Sequence, residues 1–326
     1  MREPVVTVCI PTFDRERTVG AAIESVLAQT FEDFELLVLD DASTDGTVAL
    51  ASSYARSDPR VRVVPGERNA GTGVMRQRGL ELARGHYVAN LDSDDRAHPE
   101  RLARQVAYLD AHPDCALLGT WARRVGVGDR PRGLYRRPLS AEAIRARLLF
   151  ENCFKNTTVT GRRDVLQKFG YRPLRVCEDV DLHVRIALVH PVANLPEVLG
   201  VYRKHKRSVS AGEAAQLEIR AAQIRIARDL LQGLGLKPSQ TDLDRHHELR
   251  ELAGPAPDRP FVDWAEPWLR GLHAANQRAR VYPEPEFSRV LGARWRQVCR
   301  AAALPDGEAL ARCVASPLAA LADAPD

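Results

Sequence analysis

Asp92, Asp94 and Asp95 put three carboxylates within four positions at the end of YVANLDSDD, residues 87–95. Side chains this close repel one another unless a cation or a set of donors lies among them. Hard oxygen ligands with no sulfur nearby suit Mg2+ or Mn2+ better than zinc. A second acidic pair, Asp40 and Asp41, follows the apolar run 34–39, and EDVDLHVRIAL at 178–188 brings Glu178, Asp179 and Asp181. A carboxylate in the first turn of a helix is stabilised as the anion by about 0.3–1 kcal/mol. Charged in that way, it can take a proton from a reacting hydroxyl. Taken singly, each of these acids also fits a solvated turn or an ordinary helix-terminal residue. Their convergence is what would make a site.

That convergence depends on the elements that carry them. Residues 5–10 (VVTVCI), 34–39 (FELLVL) and 87–91 are near-continuous apolar runs, the pattern of strands buried on both faces. Pro11 is expected to stop the first ladder. Between the strands, Val19, Ala22, Ile23, Val26 and Leu27 recur at helical spacing, and helices are expected to about 54 and 83. Strand–helix alternation with short loops predicts a parallel sheet with helices on both faces. Open sheets of this kind bind ligands at the C-terminal ends of their strands, where both acidic pairs fall. Phe13, in the loop after the first strand, offers an apolar face for stacking, and Asp41 an acceptor for a base N–H.

Further along, a helix is expected over 99–110 and a strand over 116–120. The stretch 123–138 is rich in Gly, Pro and Arg with little periodicity and reads as a long loop. Val180, Val184, Ala187 and Leu188 share one helical face, which sets Asp179 in the first turn of that helix. From about 211 the chain is Ala- and Leu-rich with helical periodicity, 254–260 reads as a linker, and Trp264, Trp268 and Trp295 lie in the helices beyond. The expected division is one α/β domain over 1–210 and a helical extension over 211–326.

Composition narrows the class. The chain has 326 residues, 44% hydrophobic and 28% charged, which is a globular rather than a disordered balance. No run approaches the roughly 18 apolar residues a membrane span needs, and no signal segment opens the chain. A cytoplasmic protein is expected, at most associated peripherally with the inner face of the membrane. The six cysteines are scattered, with no zinc spacing and no disulfide framework. Residues 120–210 hold 19 Lys and Arg against 8 Asp and Glu, an excess of +11 in a chain whose total is +4. A basic middle beside an acidic cluster suits an anionic ligand held partly by a metal. No nucleic-acid-binding pattern accompanies it, so no nucleic-acid partner is expected.

The ordered pieces VTVCIPTFDR at 6–15, LLVLDDASTDGT at 36–47, RNAGTGVMRQRGLELARGHYVANLDSDD at 68–95, EDVDLHVRIAL at 178–188 and YRKHKRSVS at 202–210 resemble family 2 glycosyltransferases of the GT-A fold. The resemblance covers roughly 5–210. It implies transfer of a sugar from a nucleotide-diphosphate donor, a UDP-sugar in the favoured reading, to a hydroxyl of a glycan, lipid-linked or other acceptor, with inversion at the anomeric carbon. It also implies a nucleotide pocket made by Pro11, Thr12, Phe13, Arg15, Asp41, Asn69, Arg76 and Asp92. Asp92 and Asp94 then form the DXD motif, with Asp94, Asp95 and His205 for Mn2+ or Mg2+. Glu178 and Asp179 stand at the catalytic positions, Asp179 as the base. Phe13-Asp14 stands where the family has Tyr-Asn, and Gln77 where Asn is common.

Two other readings compete. A non-catalytic nucleotide-sugar or carbohydrate-binding module would not need Asp94, Asp179 and His205 intact. A sugar nucleotidyltransferase would carry a Gly-rich basic loop after the first strand, where this chain has PTFDR.

Overall fold

The computed structural model describes residues 3–204, 212–252, 256–305 and 307–322. The first half alternates as its pattern predicts: β1 (Val6–Thr12), α1 (Val19–Leu27), β2 (Phe34–Asp40), α2 (Thr47–Ser57), β3 (Val61–Pro65), α3 (Thr72–Leu82) and β4 (Tyr87–Asn90). Every residue of β1, β2 and β4 is buried. That burial is why these strands read as near-continuous apolar runs, with Thr7 and Glu35 hydrogen-bonded to each other inside. They pair in parallel in the order β3-β2-β1-β4.

Pro11 does not end its strand. β1 stays in register with β2 through Pro11 opposite Leu39 and Thr12 opposite Asp40, whereas β4 ends opposite Cys9. Cys9 gives its carbonyl to Leu91 N on the β4 side. By the two-residue alternation of a strand, the N–H that Pro11 lacks would point to that same side, beyond the last residue of β4.

The chain continues as β5 (Arg96–Ala97), α4 (Arg101–Ala111), β6 (Leu117–Val125), β7 (Pro131–Tyr135), α5 (Ala141–Arg147), β8 (Thr160–Arg162), α6 (Arg163–Phe169), α7 (Glu178–Ala187) and β9 (Val192–Arg203). The sheet runs β3-β2-β1-β4-β8-β6-β9-β5, with β7 added on β6. β8 is antiparallel to both β4 and β6, while β6 and β9 are parallel. The stretch read as a loop over 123–138 is a hairpin. β9 pairs with β6 as far as Val125 opposite Arg203, and β7 folds back on it antiparallel. The partner that extends β6 lies some seventy residues downstream, so local composition could not reveal it. Asn156–Thr158 is a 3-10 turn that leads into β8.

Arg101 is the polar rivet of this half. Only 1% exposed, it donates to the carbonyls of Thr157, Asn90 and Val159 and to Gln105 Oε1. Gln105 in turn donates to Leu118 O and Thr158 O. Burial lowers the Arg101 pKa to about 10, although Asp92 and Asp95 favour its charge. One buried guanidinium therefore holds the end of β4 against the segment that leads into β8.

The remaining elements are helices: α8 (Glu213–Gly233), α9 (Gln240–Glu251), α10 (Arg259–Ala279), α11 (Glu286–Ala301), α12 (Glu308–Ala315) and α13 (Pro317–Leu321). Two compact units result, residues 1–141 with 153–216, and residues 142–152 with 217–326. The second has its own core, with Leu243, Leu249, Leu269, Leu272, Phe287, Leu291 and Trp295 buried. Ser239 opens α9 with a capping box shared with Asp242. No helix of the described residues is long and apolar enough to cross a membrane.

Candidate active site

The acidic turn begins one residue past β4. Leu91 N donates to Cys9 O, Asp92 N to Thr157 Oγ1, and Asp95 N closes the turn onto Asp92 O at 3.0 Å. Across from it stands Arg76 of α3, only 6% exposed. Its guanidinium reaches in two directions, Nη2 to Asp92 Oδ1 at 2.7 Å and Nη1 to Glu178 Oε1 at the start of α7. The Asn156 carboxamide lies on the same group and, with its oxygen turned inward, accepts from Nη2 at 2.8 Å. A buried guanidinium with two carboxylates is the arrangement in which a fork of donors outperforms a point charge. Arg76 thus joins two acidic motifs that lie far apart in the chain.

Asp95 sits deeper than its neighbours. Its Oδ1 accepts from Arg203 N at 2.7 Å, while Oδ2 is buried with no hydrogen-bond partner among the described residues. Burial raises its pKa well above the carboxylate range, and the charges of Asp92 and Asp94 add to the push. Lys155 stands close by, its ammonium 3.4 Å from the centre of the Tyr202 ring. Burial acts against the Lys155 charge, but Asp92, Tyr202 and Asp95 raise its pKa. A buried carboxylate oxygen without a partner, flanked by two more carboxylates, is a donor set that fits a hard divalent cation. Among the described residues, no group of three His, Cys, Asp or Glu is arranged as a full ligand set. Such ions often take only one or two carboxylates, the substrate phosphates supplying the rest. His205, the third expected ligand, lies outside the described residues.

Cys177, at φ 58°, turns the chain into α7, so that Glu178 and Asp179 occupy its first turn. Burial pushes the Glu178 carboxyl up to about 7, the Arg76 guanidinium opposing and Asp179 reinforcing the shift. Asp179 differs from Glu178 in two ways: it is only half-buried, and its carboxylate makes no hydrogen bond among the described residues. One turn on, His183 is 2% exposed with neither ring nitrogen bonded among the described residues, and burial lowers its pKa to about 4. Asp181 is structural, paired with Arg172 and Arg185. Gly73 marks how closely α3 approaches this corner: a Cβ there would lie 2.7 Å from Leu174 O.

Of the residues expected around a nucleotide, Pro11, Thr12, Phe13, Arg15 and Asp41 fall at the ends of the neighbouring strands β1 and β2, Asn69 follows β3, and Arg76 and Asp92 form the bridge described above. Phe13 is 39% exposed, as a stacking surface must be. Asp14 ties its loop to the next one, accepting from Thr44 N at 2.8 Å and donating its own N–H to Ser43 Oγ. Arg15 N donates to Thr47 Oγ1, and Pro11 and Thr12 are buried in β1. Asp41 accepts from Ala70 N at 2.7 Å and Gly71 N at 2.8 Å, which fixes the loop carrying exposed Asn69. Each Asp41 oxygen keeps a second lone pair for a ligand. Gln77 faces away from this edge, accepting from Tyr171 N at 2.9 Å.

Sequence reading thus placed Arg76, Asp92, Asp94, Asp95, Glu178 and Asp179 at one crevice. Lys155 and Asn156 were not expected there, and Arg203 only as one basic residue of the piece at 202–210; their roles come from partners distant in the chain. The only available signal was the local excess of basic residues.

Residues 7–170 match the sequence family described as Glycosyl transferase family 2. The amylovoran biosynthesis glycosyltransferase AmsE of Erwinia amylovora is 34% identical over 198 residues, covering 59% of this chain and 74% of that protein. The succinoglycan biosynthesis protein ExoO of Rhizobium meliloti is 44% identical over 108 residues, 33% of this chain and 30% of that protein. Among solved structures, S. aureus TarS 1–349 in complex with UDP-GlcNAc aligns with a TM-score of 0.58 at 20% identity, over 91% of this chain and 82% of that one. Mannosyltransferase PcManGT from Pyrobaculum calidifontis, in complex with GDP-Man and Mn2+, aligns with a TM-score of 0.52 at 19% identity, over 99% and 84%. The structural likenesses show a shared fold.

Proposed function

Because this chain belongs to the family 2 glycosyltransferases and has their GT-A fold, we propose that it moves a sugar from a nucleotide-diphosphate donor to an acceptor hydroxyl, with inversion, in polysaccharide synthesis. The observation that carries the reading is the Arg76 bridge, which holds the acidic turn and the start of α7 in one crevice. Asp179 stands beside that bridge with a carboxylate that no hydrogen bond occupies among the described residues. In the proposal it accepts the acceptor's proton as the oxygen attacks the anomeric carbon, and a single displacement inverts that centre. Glu178 and Arg76 hold Asp179 and Asp92 in position.

Asp94 and Asp95, joined by His205, would hold Mn2+ or Mg2+, and the unpartnered Asp95 oxygen supports that assignment. When bound, the ion supplies positive charge against the departing diphosphate. Phe13, Asp41 and Asn69, with Pro11, Thr12 and Arg15 behind them, form the proposed nucleotide pocket. Exposed Phe13 and the free lone pairs of Asp41 favour uracil, so a UDP-sugar is the preferred donor. The amylovoran and succinoglycan relatives support a glycan acceptor. The compact units support a transferase domain up to about 210 and a helical extension beyond it.

Chelation tests the cation assignment. Excess EDTA should abolish release of nucleoside diphosphate from the donor, and added Mn2+ or Mg2+ should restore it. Undiminished turnover in EDTA would remove the ion from the proposal.

A further inference from the structure

The β6–β7 hairpin carries charge that the proposed site does not use. Six arginines lie between 123 and 137, with Asp129 as the one carboxylate in that stretch. Asp129 is already taken up by Arg203 at 2.7 Å and Arg96 at 2.9 Å, both outside the hairpin. Among the described residues, none of the six arginines has a carboxylate partner. Arg124 reaches only a backbone carbonyl, while Arg136 and Arg137 lie over the rings of Trp121 and Tyr135. Arg123, Arg130 and Arg132 are exposed.

Large apolar side chains stand in water among them. Leu134 is 48% exposed and directly opposite Arg123 in the ladder, and Leu139 is 39% exposed just past the strand. The hairpin is also braced: β9 pairs along β6, and Asp129 pins the tip through its two ion pairs. A stretched polyanion would satisfy the arginines and leave both leucines in water. The headgroup region of an anionic bilayer matches both, phosphates meeting the guanidinium groups and the acyl boundary covering the leucines.

We propose that this face of the β6–β7 hairpin is a docking surface for an anionic lipid bilayer. It binds peripherally, with the arginines on the phosphates and Leu134 and Leu139 entering the interface. The proposal is independent of the transferase reading, because vesicle binding needs neither donor nor acceptor.

The test is co-sedimentation of the full chain with vesicles of phosphatidylcholine alone or mixed equally with phosphatidylglycerol. The protein should pellet with the anionic vesicles only, and high salt should release it. Arg123→Gln/Arg130→Gln/Arg132→Gln should bind about 100-fold more weakly, at about 1 kcal/mol per basic residue. Leu134→Ser/Leu139→Ser, which keeps every charge, should bind about tenfold more weakly. All five positions are exposed, and unchanged melting curves would show that both variants fold. Equal binding to the two vesicle types would overturn the proposal. So would a leucine variant that binds anionic vesicles like wild type, since that result describes a surface for polyanions such as heparin.

Discussion

Asp179→Asn lowers kcat by about 10²–10⁴-fold, the usual effect of removing a general base, and leaves donor affinity nearly unchanged. The substitution keeps shape and hydrogen-bonding capacity but cannot take the acceptor's proton. Donor affinity is spared because Asp179 holds neither the nucleotide nor the cation in the proposed arrangement. A purely helix-terminal acid would behave differently. Its loss would cost about 1 kcal/mol of stability or less and leave transfer intact. The measurement is kcat and donor Kd for the variant beside wild type, with a melting curve to show that it folds. A folded variant with near-normal kcat would take Asp179 out of the mechanism.

Arg76→Met is expected to destabilise the fold by about 3–5 kcal/mol, because removing one member of a buried ionic cluster leaves the others uncompensated. Here the groups left behind are Glu178, which is buried, and Asp92, which is half-buried. Some of that cost would be relieved by protonation of Glu178, whose pKa already stands at about 7. The variant should therefore lose less stability below that pH than above it: protonated Glu178 needs no cation, whereas its carboxylate does. Arg76→Lys keeps the charge but cannot fork to both partners, and should fall between wild type and Met. Urea unfolding of both variants at two pH values is the check. An Arg76→Met protein as stable as wild type would mean that the bridge does not hold the crevice together.

These expectations rest on parts of the molecule that were unequally legible in the sequence. β1, β2 and β4 could be read directly, because a strand buried on both faces leaves a near-continuous apolar run, here short and bounded by turn residues. The place of Asp179 was equally plain, since the apolar spacing from Val180 to Leu188 sets the helix and puts the acid in its first turn. Arg76 was visible as a residue of the motif, but its bridge was not: its partner Glu178 is 102 residues away, and no local pattern encodes such a pair. The same holds for β6, which composition truncated and β9 extends. Lys155 left no signal beyond the local excess of basic residues and Asn156 none, because each depends on neighbours that only the folded sheet brings near. Pro11 misled for a related reason. Its missing donor matters only where a partner strand is present, and β4 has already ended there.

The central claim is that this crevice turns over a nucleotide-diphosphate sugar. Its most direct test is release of nucleoside diphosphate from a panel of UDP-, GDP- and dTDP-sugars by the purified chain with Mn2+. The purified chain should release nucleoside diphosphate from at least one UDP-sugar, and EDTA or Asp94→Asn should abolish that release. Release from no member of the panel, with no thermal stabilisation by any of them, would contradict the claim.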